Sequence, residues 1–334
     1  MLETPVAFLI FNRPDTTAQV FAEIARARPR RLLVVADGPR PDRPGEAERC
    51  AAARAVVERV DWPCDVRTNY ADTNLGCGRR VATGLTWVFE QAEEAIIVED
   101  DCVPHPTFFR FCAELLDRYR DDERIMHIGG GGYQFGRAER PFSYFFSRHY
   151  PSWGWASWRR AWRHFDLDIG LWPALRDTGW LRDVVDDERI VEHWRRMFDR
   201  AHAGVDNVNT WDFQWTFACW AQHGLSVLPY DTLVSNVGFR EDATHTRRDS
   251  DPIANLSTSA MTFPLEHPPY VLRDTGADRL FAESVIVPHL SRRPTLYGRL
   301  RRRCAEAMPP GVRRTISTAR TVSSDILRWS RVVH

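Results

Sequence analysis

Ala95-Ile96-Ile97-Val98-Glu99-Asp100-Asp101 decides how this chain folds. Its four apolar residues are too few for a helix and suit a strand buried on both faces. The three carboxylates then mark the strand's carboxyl end. Two upstream runs have the same form. Val6 to Phe11 is stopped by Asn12-Arg13-Pro14, and Leu32 to Ala36 by Asp37-Gly38-Pro39. Helical patterns lie between them: from Asp15 or Thr16 to about Arg28, and from about Glu46 to Val60. Asp65 to Asn69 reads as a short strand. The loop Asn74-Leu75-Gly76-Cys77-Gly78 leads into a helix ending near Glu93. Downstream, Pro106 opens a helix to about Arg120, before the strand-like Ile125 to Ile128. Apolar strands alternating with helices imply a mostly parallel sheet with flanking helices, an α/β fold. Ligands of such sheets bind beyond the carboxyl ends of the strands, where Arg13, Asp37 and the acidic triplet fall.

The second half is rich in Trp and Arg. It predicts helices near residues 152–165, 180–203 and 210–223, and short strands over Leu225 to Leu228 and Thr232 to Val237. The whole chain has 334 residues, 43% apolar and 27% charged, which excludes a disordered or collagen-like protein. No apolar run approaches the ~20 residues of a membrane span. The start, Met1-Leu2-Glu3-Thr4-Pro5, carries no signal-peptide pattern, so the expected location is cytoplasmic. The seven cysteines form no C-x-x-C pair, and neither a disulfide framework nor a zinc site is expected. Basic and acidic residues balance at 45 each, which gives no reason to expect nucleic acid as a partner. The basic residues are all arginine. Eleven lie beyond Ser291 against only Glu306 and Asp325, leaving residues 1–290 acidic.

Three adjacent carboxylates repel one another, and gathering them at a buried strand end calls for a cation. Mg²⁺ or Mn²⁺ takes oxygen ligands, commonly one or two carboxylates plus substrate phosphates. A solvated acidic turn is the bland alternative. Asn209-Thr210-Trp211-Asp212-Phe213-Gln214-Trp215 sets one carboxylate among aromatics, where apolar surroundings favour a general base; a helix cap is the alternative there. His245, in the loop Asp242-Ala243-Thr244-His245, is a candidate metal ligand or phosphate contact, or a solvated loop histidine. Trp153-Gly154-Trp155 could offer aromatic faces to a sugar, although most of the 13 Trp must be structural.

In their order along residues 5 to 246, these features resemble the GT-A fold glycosyltransferases. The closest likeness is to the inverting N-acetylglucosaminyltransferase I family and bacterial family 2-like enzymes. The resemblance implies a metal-dependent transfer of a sugar from a nucleotide-sugar donor, UDP-linked in the commonest case, to a glycan or lipid-linked glycan. It implies Arg13 at the diphosphate or ribose, Asp37 at the nucleobase, and Arg79 or Arg80 on the nucleotide side. Asp100 would hold ribose, and Glu99 would touch the sugar or support the metal. Trp155 would border the sugar, and Trp211 joins the donor-binding set. Asp101, with His245 as a further candidate, would ligate Mn²⁺ or Mg²⁺, and Asp212 would be the catalytic base. A sugar nucleotidyltransferase and an inactive nucleotide- or glycan-binding homologue remain open as alternatives.

The expected organisation is a catalytic domain over 1–290, with a nucleotide-binding half to about 130 and an acceptor half beyond it, followed by an Arg-rich tail over 291–334. In the tail, Ile316, Ala319, Val322, Ile326, Trp329 and Val333 share a helical face opposite Arg320, Arg328 and Arg331. That pattern suits an anionic membrane surface, or packing on protein.

Overall fold

The structure is a computed structural model, and it describes residues 1–137, 141–204, 209–239 and 253–290. Met1–Pro288 forms one compact α/β unit. The first half alternates as the sequence predicts. β1 (Val6–Ile10), α1 (Pro14–Ala27), β2 (Arg31–Ala36), α2 (Glu46–Val57), β3 (Asp65–Tyr70), α3 (Cys77–Gln91) and β4 (Glu94–Glu99) follow one another. Then come β5 (Cys102–Pro104), α4 (Thr107–Arg118) and β6 (Ile125–Gly129). The second half holds β7 (Tyr144–Ser147), β8 (Trp155–Trp158), four helices α5 to α8 (Arg159–Trp162, Trp172–Leu175, Trp180–Val184, Glu188–His202), α9 (Asp212–Ala221), β9 (Leu225–Pro229), β10 (Val234–Asn236) and α10 (Thr275–Phe281).

Eight strands form one sheet in the order β3-β2-β1-β4-β8-β6-β9-β7. β3, β2, β1 and β4 are mutually parallel, whereas β8 and β7 run against their neighbours. β1 is enclosed on both faces, with Val6, Ala7 and Phe8 wholly buried, so its run is uniformly apolar. β3, at the edge, carries the exposed polar residues Asp65, Arg67 and Thr68, which discourage further strand pairing. Pro14 starts α1, where its missing N–H costs nothing, and Val20, Phe21 and Ile24 turn inward.

Two expectations are corrected. Residues 152–165 do not form one helix: β8 occupies Trp155–Trp158 and only Arg159–Trp162 is helical. All four residues of β8 are buried, because the strand lies inside the sheet between β4 and β6, with Trp155 covered by Trp211 and Trp158 by α4. With neither face wet, the alternation that marks a strand never develops. The segment 180–203 is two helices, because Asp187 caps a new one by accepting the Arg189 N–H. No helix among the described residues is long and apolar enough to cross a membrane.

Candidate functional site

Strand order reverses direction of growth at β1, which lies between β2 and β4. A crevice therefore opens at the carboxyl ends of β1 and β4. Leu9 pairs with Glu99, so Phe11 comes level with the acidic triplet. The Phe11 N–H donates to Asp100 Oδ2 at 2.9 Å. The Arg13 guanidinium hydrogen-bonds Asp101 and lies 3.5 Å from Asp100 Oδ1. Burial alone would lower the Arg13 pKa, but Asp100 and Asp101 more than reverse that and hold its charge firmly. The carboxylates fare differently. Desolvation pushes the Glu99 carboxyl well above its ordinary range, and Asp101 and Asp100 push it further. Asp100 is raised by burial and by Asp101, with Arg13 pulling the other way. Among the described residues, one guanidinium thus faces three carboxyls and does not neutralise them.

A cavity of about 140 Å³ occupies the crevice, lined among others by Phe11, Arg13, Arg40, Cys77, the acidic triplet and Asn209. Its second wall is the start of α3. Burial raises the Cys77 thiol pKa, reinforced by Glu99, Asp212, Asp101 and Asp37 in that order, so this thiol stays protonated amid four carboxylates. The segment before α9 closes against it: Asn209 Oδ1 accepts the Gly78 N–H at 2.9 Å. Asp212, the first residue of α9, is half-buried, stands outside the cavity lining, and accepts a hydrogen bond from the Thr210 hydroxyl. Its charge reaches both Cys77 and Glu99.

The structure therefore gathers Arg13, Glu99, Asp100, Asp101 and Asp212 into one neighbourhood, and it reassigns others. Asp37 lies in the lining but is fully engaged. Its Oδ1 accepts the Gly38 and Leu75 N–H groups, each at 2.9 Å. Its Oδ2 accepts from Asn74 Nδ2 at 3.0 Å and the Gly76 N–H at 3.1 Å. It shapes the 74–76 loop and has little capacity left for a nucleobase. Arg80 is buried, lines the cavity, and also braces β2 to β3 by donating to Ala36 O and Asn69 O. Arg79 is exposed and outside the cavity lining. Trp155 and Trp211 are corrected from donor contacts to core. Trp155 is wholly buried, stacked on His127 at 5.2 Å and Trp211 at 5.4 Å, and Trp211 is 2% exposed. Neither has a ring face free for a sugar. His245 lies outside the described residues.

The donor set bears on a metal. Among the described residues no group of three or more His, Cys, Asp or Glu could hold a metal ion. Arg13 takes Asp101 Oδ2, while Oδ1 accepts from the Cys102 thiol at 3.5 Å. The set suits an ion held by one protein oxygen with phosphates and water completing the shell, the usual habit of Mg²⁺. It does not make a closed cage.

Sequence patterns missed Arg40 and Glu46. Arg40 sits 5.5 Å over the Phe11 ring, its guanidinium pinned by Glu46, which also accepts from Asn12 at 2.9 Å. The Pro-rich loop that carries Arg40 gave no signal beyond polarity. Asn209 was visible only as a neighbour of Asp212.

No family model matches the sequence, and no curated protein sequence matches it. Solved structures similar to the chain include S. aureus TarS 1–349, at 11% identity and a TM-score of 0.39, covering 70% of this chain and 59% of that one. Mouse xyloside xylosyltransferase 1 in its apo form is similar at 10% identity and a TM-score of 0.34, covering 65% and 81%. UDP-glucose pyrophosphorylase complexed with UDP-glucose is similar at 8% identity and a TM-score of 0.32, covering 69% and 90%. The chain thus spans 59% of the length of the TarS structure. These are distant likenesses of overall shape, and the chemistry has to be read from the side chains.

Proposed function

We propose that the protein is a nucleotide-sugar-dependent, inverting glycosyltransferase acting on a hydroxyl of a glycan or lipid-linked glycan, with a UDP-sugar as the first donor to test. One observation carries this reading. At the crevice between β1 and β4, Arg13 stands among incompletely neutralised carboxyls, and Asp212, at the start of α9 and outside the cavity lining, is near enough for its charge to act on Glu99 and Cys77. An incoming diphosphate can draw Arg13 away from Asp101, exchanging one anionic partner for another. Asp101 would then hold Mn²⁺ or Mg²⁺, whose chemistry is to neutralise charge on the departing diphosphate.

Asp212 takes the proton of the acceptor hydroxyl while that oxygen attacks the anomeric carbon. The new C–O bond forms opposite the phosphate oxygen, whose bond breaks with its electron pair leaving on the nucleoside diphosphate. Attack from the opposite face inverts the anomeric centre. General-base assistance contributes roughly 10²–10⁴-fold, so Asp212→Asn is expected to lose about that much turnover. The same variant should still bind UDP with Mn²⁺, as read by calorimetry.

The direct test incubates the protein with Mn²⁺ and a panel of nucleotide sugars and follows release of the nucleoside diphosphate. Pyrophosphate release from a nucleoside triphosphate and a sugar 1-phosphate, without donor cleavage, would instead make it a nucleotidyltransferase. A lipid-borne acceptor would bring the protein to an anionic membrane, where the arginines of 291–334 would attach it. Co-flotation with anionic liposomes that survives deletion of this segment would remove that role.

A further inference from the structure

Asp212 is two residues past Thr210 and opens a helix whose preceding residues, Asn209 and Thr210, abut the first turn of α3, 131 positions away along the chain at the Gly78–Asn209 bond. Two glycines allow that approach. A Cβ on Gly78 would come 2.7 Å from the Thr210 carbonyl oxygen and 3.1 Å from its nitrogen. A Cβ on Gly76, whose φ is +80°, would come 2.7 Å from Asn209 Nδ2. These neighbours are backbone, or a side chain held by its own hydrogen bond, so neither can yield cheaply. The α3 side is itself fixed, because Asp37 grips the Leu75 and Gly76 amides from the end of β2.

Resting on the transferase reading, we infer that Asn209 is a positioning residue. It latches the turn carrying the base to the start of α3, with Gly76 and Gly78 as the cleared seat and Asp37 as the anchor beneath. The relay runs from the sheet, through Asp37 and the 75–78 amides, to Asn209 and then Asp212. It places the base relative to Arg13 and the acidic triplet, which stand on the same sheet edge. Asn209 need not touch the reacting atoms. Loosening the latch leaves the diphosphate-binding side chains in place and displaces only the proton acceptor.

The test compares Asn209→Leu, Asn209→Asp and Gly78→Ala in the full chain. Asn209→Leu keeps bulk but cannot accept the Gly78 N–H, whereas Asn209→Asp still can. Displacing a catalytic group by about 1 Å costs on the order of 10²-fold, so kcat should fall by that amount in Asn209→Leu and Gly78→Ala. In Gly78→Ala, which lies outside the cavity lining, donor KM and UDP affinity should stay within about twofold, and Asn209→Asp should recover most of the kcat lost in Asn209→Leu. A readout independent of turnover is amide hydrogen exchange at Gly78 and in the first turn of α9. It should quicken at least about tenfold in Asn209→Leu while the β1 and β4 amides are unchanged.

Unchanged exchange, unchanged kcat, or a loss carried entirely by KM would overturn the inference. A functioning Asp212→Asn would sink the transferase mechanism instead. If the wild type cleaves no donor, that mechanism has also failed, and exchange still decides whether Asn209 latches the turn. A variant that fails to fold shows itself by exchange throughout the sheet, and Asn209→Asp then carries the comparison.

Discussion

The crevice at the ends of β1 and β4 and the aromatic cluster around Trp155 both looked like ligand sites in sequence, and they differ in what remains unsatisfied. In the cluster, His127 is wholly buried and both ring nitrogens are engaged. Nδ1 accepts the Trp215 indole N–H at 3.2 Å, and Nε2 donates to Pro151 O at 3.1 Å. Trp155 stacks on this imidazole and on Trp211, and Trp215 closes its side at 5.6 Å. In the crevice, one guanidinium among the described residues serves three carboxyls, two of them driven above their ordinary range. In the cluster, the Trp155 indole N–H has no hydrogen-bond partner among the described residues, yet the ring faces are packed and the imidazole is bonded at both nitrogens, so this region holds the fold together and offers no surface to a ligand. A region with surplus charge beside a cavity has capacity left for a ligand.

The largest effect that could break this contrast is expected from Trp155→Ala. Truncating a buried Trp costs about 3–5 kcal/mol, and the ring stacked on both sides is expected to lie in that range. Urea denaturation should show the loss as a lower midpoint, while UDP affinity of the folded protein holds. Normal stability with lost UDP binding would return Trp155 to the donor site.

The contrast also bears on what a sequence can reveal. The buried runs of β1, β2 and β4 were legible because continuous apolar residues stopped by polar clusters have few other uses, and those stops located Arg13 and the acidic triplet. Engagement was not legible. Asp37 looks like a ligand by type and place, yet four hydrogen bonds from Gly38 and the 74–76 loop occupy it. Trp155 looks like a sugar platform beside a Gly-Trp turn, yet β8 runs through the sheet interior and takes both ring faces with it. The Gly78–Asn209 bond joins residues 131 apart, and nothing local to either encodes it. Type and period are local properties, whereas saturation belongs to the fold.

A second, smaller effect follows from the neutral state of His127. Burial depresses its pKa to about 3, although the Pro151 carbonyl favours the proton. The unfolded chain therefore binds a proton near pH 6.5 that the folded chain refuses. Stability present above that pH is lost as pH falls toward the folded value. Between pH 6.5 and 5 the loss from this group is about 2 kcal/mol. His149, buried against Phe281 and likewise lowered, adds to it with the same sign. In His127→Leu, urea midpoints measured across this range should lose the share of the slope that His127 carries and keep that of His149, despite a lower starting stability. An unchanged slope would mean that the imidazole is not locked neutral in the cluster.

The smallest effect tests the other region. Glu99 and Asp100 hold protons more tightly folded than unfolded, so their contribution falls as pH rises from the unfolded carboxyl range near pH 4 toward their folded values. Arg13 works against this by favouring the ionised forms. Arg13→Met removes the opposing charge with little change in length, which should raise both carboxyls further and steepen the loss of stability between pH 5 and 8. Asp101 also loses its hydrogen-bonded cation, so the variant should be less stable than the wild type already at pH 5. Loss of the guanidinium should also weaken UDP binding about tenfold, the scale of one charge-assisted hydrogen bond. Urea midpoints at the two pH values and UDP calorimetry read both effects. A flat profile with unchanged UDP affinity would mean that the crevice charges are already matched, leaving this region no more able to take a ligand than the core around Trp155.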